Sequence, residues 1–236
     1  MADSTFAGFP REGLAFLADL AENNDRDWFK PRKDTYTRLL VEPAQDFVIA
    51  LGRRLRSISE DIRYDTAANG RGSLMRIYRD IRFSRDRSPY KTNLGIIFWE
   101  GEGAKTERSG FYVHIVPDGA TVMGGQHRFA KGMLEAYRQA VVDDELGAEL
   151  IEVLQEIAAS GDYGIGGAHY KRVPRGYPAD HPRAELLKYD ALWASARPIA
   201  PDVLCSPAIV DVAYAQCLAM ARLHRWLVRV AATSSP

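Results

Sequence analysis

The hydrophobic period changes twice along this chain, and that constrains the fold more than any single motif. Up to about Ser59 apolar residues recur at helical spacing. Leu14, Leu17 and Ala21 follow Phe9-Pro10, and Tyr36, Leu39, Leu40, Phe47, Leu51 and Leu55 follow Pro31. Pro43 lies inside the second run and predicts a kink or split. From about 62 to 125 the period drops to two. Met75, Ile77, Ile81 and Phe83 alternate with Arg76, Tyr78, Asp80 and Arg82, and Phe111, Val113 and Ile115 alternate with Tyr112, His114 and Val116. Leu94 to Trp99 is a nearly continuous apolar strand. Thr121 to Met123 is a short one, ended by Gly124-Gly125. The helical period then returns over 129–142, 145–159 and 184–192. A long last helix is expected after Ser206-Pro207, read as an N-cap and first-turn proline. Asp162 to Gly167 reads as a glycine-rich loop, Asp25 to Trp28 as a turn anchored by Trp28, and 231–236 as a frayed tail.

The order helices, strands, helices predicts an α+β fold. Its centre is a mostly antiparallel sheet over about 62–125, flanked by N-terminal helices (10–59) and C-terminal helices (129–230). The 236 residues are expected to form one domain. With 46% hydrophobic and 26% charged residues, the chain is neither disordered nor a disulfide scaffold. Its 31 basic and 31 acidic residues balance, so the molecule as a whole is no polycation for coating nucleic acid.

Cys205 and Cys217 are read as two small core hydrophobes in a reducing cytosol. Met1 to Thr5 carries an acid and no apolar stretch, unlike a secretory signal. Charges interrupt every apolar run before it is long enough to span a membrane. A cytoplasmic setting is expected. Oligomeric state is not legible.

Balanced charge overall conceals one concentrated segment. Residues 71–91, RGSLMRIYRDIRFSRDRSPYK, hold six arginines and one lysine against two aspartates, a net +5, so the remainder sums to −5. On a strand, Arg76, Asp80 and Arg82 would share a face, with steps of about 13 Å and about 7 Å. Asp80 would orient the arginines, leaving guanidinium donors free to grip a phosphate or carboxylate. Arg79, on the apolar face, must find a partner. Ser84 to Pro89 reads as a turn, with Tyr90 and Lys91 entering the next strand. The expected ligand site is therefore Arg76, Asp80, Arg82, Arg85, Arg87, Tyr90 and Lys91, for a small anion or phosphate group. His114 and Asp86 are candidate proton carriers. Lys171 to Tyr177 is a second basic loop, and Arg175 from it could close on the same cleft. Gln126-His127-Arg128 is a further candidate contact.

Two alternatives stand beside this reading. The same surface could be a non-catalytic module for nucleic acid or protein, or the arginine–aspartate lattice could serve the fold alone. No cofactor is expected. No metal is expected either, since positive charge surrounds Asp65, Asp80 and Asp86, and no zinc-ligand spacing occurs.

The run from Arg76 to Thr92 resembles the hallmark of a bacterial and fungal family known as domain of unknown function 2461. Phe6 to Pro10 with Leu14, Phe16 and Leu17 is similar too, as are Asn23-Asn24 before Trp28-Phe29 and Gly110 to Ile115. Arg172 to Tyr177 and Asp180-His181-Pro182 extend the match. The resemblance implies a single-domain cytoplasmic protein. It implies no activity and no catalytic residues.

Overall fold

A computed structural model describes residues 6–82 and 84–234. Met1 to Thr5, Ser235, Pro236 and Phe83 lie outside the described residues, and with them the expectations placed on the first five residues, on Phe83 and on the chain's last two residues. The helices are α1 (Arg11–Glu22), α2 (Arg26–Phe29), α3 (Lys33–Tyr36), α4 (Glu42–Leu55), α5 (Lys131–Val142), α6 (Asp144–Ala159), α7 (Pro201–Leu204), α8 (Ile209–Ala219) and α9 (Ala221–Ala232). The strands are β1 (Ile62–Arg63), β2 (Leu94–Glu100), β3 (Gly110–Val116), β4 (Gly119–Gln126), β5 (Tyr163–Ala168) and β6 (Tyr189–Ala196). They form one antiparallel sheet in the order β1-β2-β3-β4-β6-β5. The fold is α+β, as the two changes of period require.

Contacts divide the chain into two units. One comprises the residues through Phe98, Tyr112–Val122 and Pro198–Ala215; the other comprises Trp99–Phe111, Met123–Arg197 and the residues from Gln216 on.

In the first unit the helical run expected to kink or split at Pro43 stays helical but carries a π-turn, Thr37–Val41, directly before α4, which holds Pro43 in its first turn. Gly13 of α1 lies against this turn: a Cβ there would stand 2.6 Å from the Leu39 carbonyl. Phe6, Phe9 and Phe47 pack with centroids 5.4–5.5 Å apart, and Leu17, Leu20, Leu40 and Leu51 are fully buried. Asp25 caps α2, accepting from the Trp28 N–H at 2.8 Å.

The second unit departs from expectation in three places. The glycine-rich stretch 162–167 is no loop but edge strand β5, paired with β6. Two of its glycines serve close approach: Gly166 lies directly beneath the Trp193 ring, and Gly167 takes φ +116 at a bulge against the Ala191 carbonyl. The helix expected over 184–192 is a single 3-10 turn, Leu186–Lys188, followed by β6. Leu192 and Ala194 are buried there, and pairing with β4 and β5 outweighs the helical preference of alanine and leucine. Strand β4 runs through Gly124-Gly125 instead of ending there. Gly124 sits under Met220 and Phe111, and Gly125 adopts φ +133 against the Leu192 carbonyl.

The long last helix is two helices hinged at Met220 (φ −95, ψ 2). Ser206 does not cap α8; its hydroxyl donates back to the Val203 carbonyl at 2.9 Å. Tyr137, Leu150, Val153 and Trp226 are fully buried in the second unit's core, and the Trp226 indole donates to the Leu146 carbonyl at 3.0 Å. Cys205 and Cys217 are free thiols. Among the described residues, no helix is long and apolar enough to cross a membrane.

Candidate anion site on the arginine hairpin

The arginine segment belongs to the first unit. It is not the long regular strand its alternation predicts. Leu74 forms an isolated bridge to Ile96 of β2, and Tyr78 forms one to Tyr90. Around the second bridge the Arg79 N–H donates to the Pro89 carbonyl (2.9 Å) and the Lys91 N–H to the Ile77 carbonyl (2.7 Å). The segment is thus a short hairpin, with legs at 77–79 and 89–91 and a loop over 80–88. The turn expected at Ser84 to Pro89 is part of that loop. Tyr78 and Tyr90 are a non-hydrogen-bonded pair, the position that brings opposed side chains closest. Their rings lie 5.5 Å apart.

The physical reason for the shortfall is charge. Three arginines are consumed in closing the loop. Arg82 grips Asp80 through both carboxylate oxygens, at 2.9 Å from Nε and 2.6 Å from Nη2. Arg79 pairs with Asp86, which meets the need for a partner raised by its place on the apolar face. Arg87 donates to the Ile81 carbonyl at 3.1 Å. Asp86 also accepts from the Ser88 hydroxyl (2.6 Å) and N–H (2.9 Å), closing an Asx turn. The Arg82 guanidinium holds the Asp80 carboxyl down to about 2. Ser88 and then Arg79 hold Asp86 well below the usual carboxylate range. A carboxylate so saturated is a clasp, and it is ill suited to the proton-carrying role considered for Asp86.

The remaining cations are left over. Among the described residues, Arg76, Arg85 and Lys91 make no ion pair and no side-chain hydrogen bond. Arg76 and Arg85 are exposed. The Lys91 amine is half-buried, and its pKa is lowered first by that burial and then by the charge of Arg76. Two cations near one another, one of them partly desolvated and neither in a direct ion pair, with Arg76 also in the field of Asp80, is an arrangement that an anion could join.

Two residues past Lys91, the Asn93 amide donates to His114 Nδ1 at 3.3 Å. That bond leaves the proton on Nε2, and partial burial lowers the His114 pKa. In its neutral form His114 held this way presents its proton at Nε2 and its lone pair to the Asn93 amide. Tyr112, next on the same strand face, has its ring 6.0 Å from His114 and its hydroxyl pKa raised by burial.

Tyr90 does not line an open site, as its place in the motif suggested. It is 5% exposed, sandwiched between Phe29 (4.2 Å) and Tyr78. Its backbone is held by a residue whose role the sequence did not disclose. The Asn24 side chain accepts from the Tyr90 N–H and donates to the Tyr90 carbonyl, each at 3.0 Å, as a neighbouring strand would. Phe16, Trp28, Phe29 and Tyr36 extend the stack, with centroids 5.5–6.3 Å apart.

Tyr36 in this stack has its pKa pushed up to about 12, chiefly by burial. Below about pH 10 its phenol is neutral whether folded or not. Above that the unfolded chain gains by ionising first, and stability is lost as pH rises through about 12. The expected loss from this group is about 2 kcal/mol between those limits, and Tyr36→Phe should recover it in alkaline denaturant titrations.

Arg175 is exposed and belongs to the second unit. Its loop is tied down locally, the Tyr177 hydroxyl bonding Glu135 and Gln139 at 3.2 Å each. Gln126, also in that unit, spends its amide on the Glu107 and Arg128 carbonyls. Among the described residues, no group of three or more histidine, cysteine, aspartate or glutamate side chains is gathered as a metal site.

With the geometry in view, the family is clear. The chain belongs to the family described as conserved hypothetical protein (DUF2461), whose model matches residues 12–226. The match takes in both the arginine hairpin and Asn24. No curated protein and no solved structure matches the chain.

Proposed function

We propose that this protein binds a small phosphate- or carboxylate-bearing anion through Arg76 and Lys91, with Arg85 reaching from the loop and His114 offering its Nε2 proton. The observation that carries this reading is the division of labour in the hairpin. Arg79, Arg82 and Arg87 are occupied within the segment, while Arg76 and Lys91 lie near each other without a direct ion pair or side-chain hydrogen bond. A lattice serving only the fold accounts for the first three and leaves the other two unexplained. The protein's setting is proposed to be the cytoplasm, supported by two cysteines that stay unpaired, one of them wholly buried.

Isothermal titration with pyrophosphate tests the binding. Arg76→Ala and Lys91→Ala should each weaken it about tenfold or more, because a hydrogen bond to a charged group contributes about 1.5–3 kcal/mol. Arg82→Ala, which breaks a surface pair, should change it far less. Equal losses for all three variants, or no binding by the wild-type protein, would defeat the proposal.

A further inference from the structure

Arg138, in the middle of α5, is a cation without a counter-charge. Its Nε is buried and has no hydrogen-bond partner. Among the described residues its two outer nitrogens make no ion pair and no hydrogen bond either. The guanidinium lies over the Tyr170 ring, 5.2 Å from the centroid. On a helix the positions that reach 138 are 134, 135, 141 and 142, and only Glu135 among them is an acid. That acid is turned elsewhere: its Oε1 accepts from the Tyr177 hydroxyl at 3.2 Å and from the Gln139 amide at 3.0 Å.

Tyr170 and Tyr177 both come from the loop 169–183, the second basic loop of the sequence, which belongs to the same unit as α5. The loop is pinned at both ends. The His169 and Tyr170 N–H groups donate to the Lys188 carbonyl at 3.0 and 2.9 Å, and Arg183 Nε donates to the Val141 carbonyl at 2.6 Å. Between these anchors Lys171, Arg172 and Arg175 are exposed, and none makes an ion pair among the described residues. Residues 169–177 contain no acid, so the segment that covers Arg138 contributes positive charge only. A partly desolvated guanidinium is costly to leave in this condition.

We infer that Arg138 is an oxyanion receptor. Its two outer nitrogens take a carboxylate or phosphate group in the two-pronged manner that a guanidinium favours, and Tyr170 holds the guanidinium in place. The site draws on none of the hairpin residues.

Nitrogen-15 correlation spectra of the arginine Nε–H groups test this. Burial slows exchange of the Arg138 Nε–H with water, and Arg138→Lys identifies its signal by removing it. In the wild-type protein the signal should move saturably on titration with phosphate or acetate, with chloride at matched ionic strength as the reference. Tighter binding of phosphate assigns the site to phosphoryl groups; acetate bound as tightly or more so assigns it to carboxylates. Both support the inference. Tyr170→Leu should weaken the binding about two- to fivefold, and Tyr170→Phe should preserve it, which guards against a folding defect. No saturable movement with either anion, or the same movement with chloride, overturns the inference. So does an affinity that Tyr170→Leu leaves unchanged. The signal is Arg138's own, so none of these outcomes depends on whether the hairpin binds anions.

Discussion

Asn24→Ala should lower the stability of the folded protein by about 2–4 kcal/mol, because it strips both hydrogen bonds from the backbone of a buried residue. In a chain of this length that is a fall of roughly 6–12 °C in melting temperature. Thermal unfolding followed by circular dichroism measures it. Asn24→Asp is the informative companion. A carboxylate can still accept from the Tyr90 N–H but cannot donate to its carbonyl, so roughly half the loss should remain. The same substitutions should weaken anion binding, since Lys91 follows the clasped residue directly. A stable Asn24→Ala protein with normal anion affinity would show that the aromatic stack alone seats the hairpin.

The largest effect is expected at His224 in the second unit. This histidine is fully buried, with Nδ1 2.9 Å from the Ser109 hydroxyl and Nε2 2.8 Å from the Glu100 carboxylate. Phe111 packs against its ring, with centroids 5.1 Å apart. The geometry brings to mind a nucleophile, base and acid in series. Ser109, however, is only 4% exposed, so a substrate could not reach it. The network instead ties α9 to the adjoining ends of β2 and β3, within that unit. His224→Ala would open a cavity and take away a buried partner of Glu100, at about 3–5 kcal/mol. Chemical denaturation should show this. Ser109→Ala should cost much less, and the double variant little more than His224→Ala alone, because the two act as one network. Additive losses would mean that Ser109 and His224 are energetically independent.

The sequence conveyed the fold class because two long changes of period are hard to misread. It conveyed β3 residue by residue, with Phe111, Val113 and Ile115 buried and Tyr112 and His114 half-buried. It failed where tertiary pairing overrode local preference. Ala191, Leu192 and Ala194 have helix-forming side chains, and only their neighbours β4 and β5 make them a strand. Glycine misled in the same way at 124–125 and 166–167, where it marks close approach and not the end of an element. In the hairpin, alternation over Met75 to Arg82 suggested a regular strand. The pairing of Arg82 with Asp80 and of Arg79 with Asp86 depends on a folded loop, which alternation cannot express. Asn24 is 66 residues from Tyr90, and no local pattern links them. The arginines were legible as a group; which would be spent on the loop and which would be spare was not.

The π-turn at Thr37–Val41 means that this stretch of backbone carries one residue more than an ordinary helix would use. Deleting that extra residue would give a locally more comfortable coil. It would also swing everything upstream by about 100° around the axis. Phe29 would then leave its seat beside Tyr90, and Gly13 would lose the carbonyl it nests against. A one-residue shortening here, harmless to the spiral itself, would be felt in the aromatic stack against which the hairpin rests.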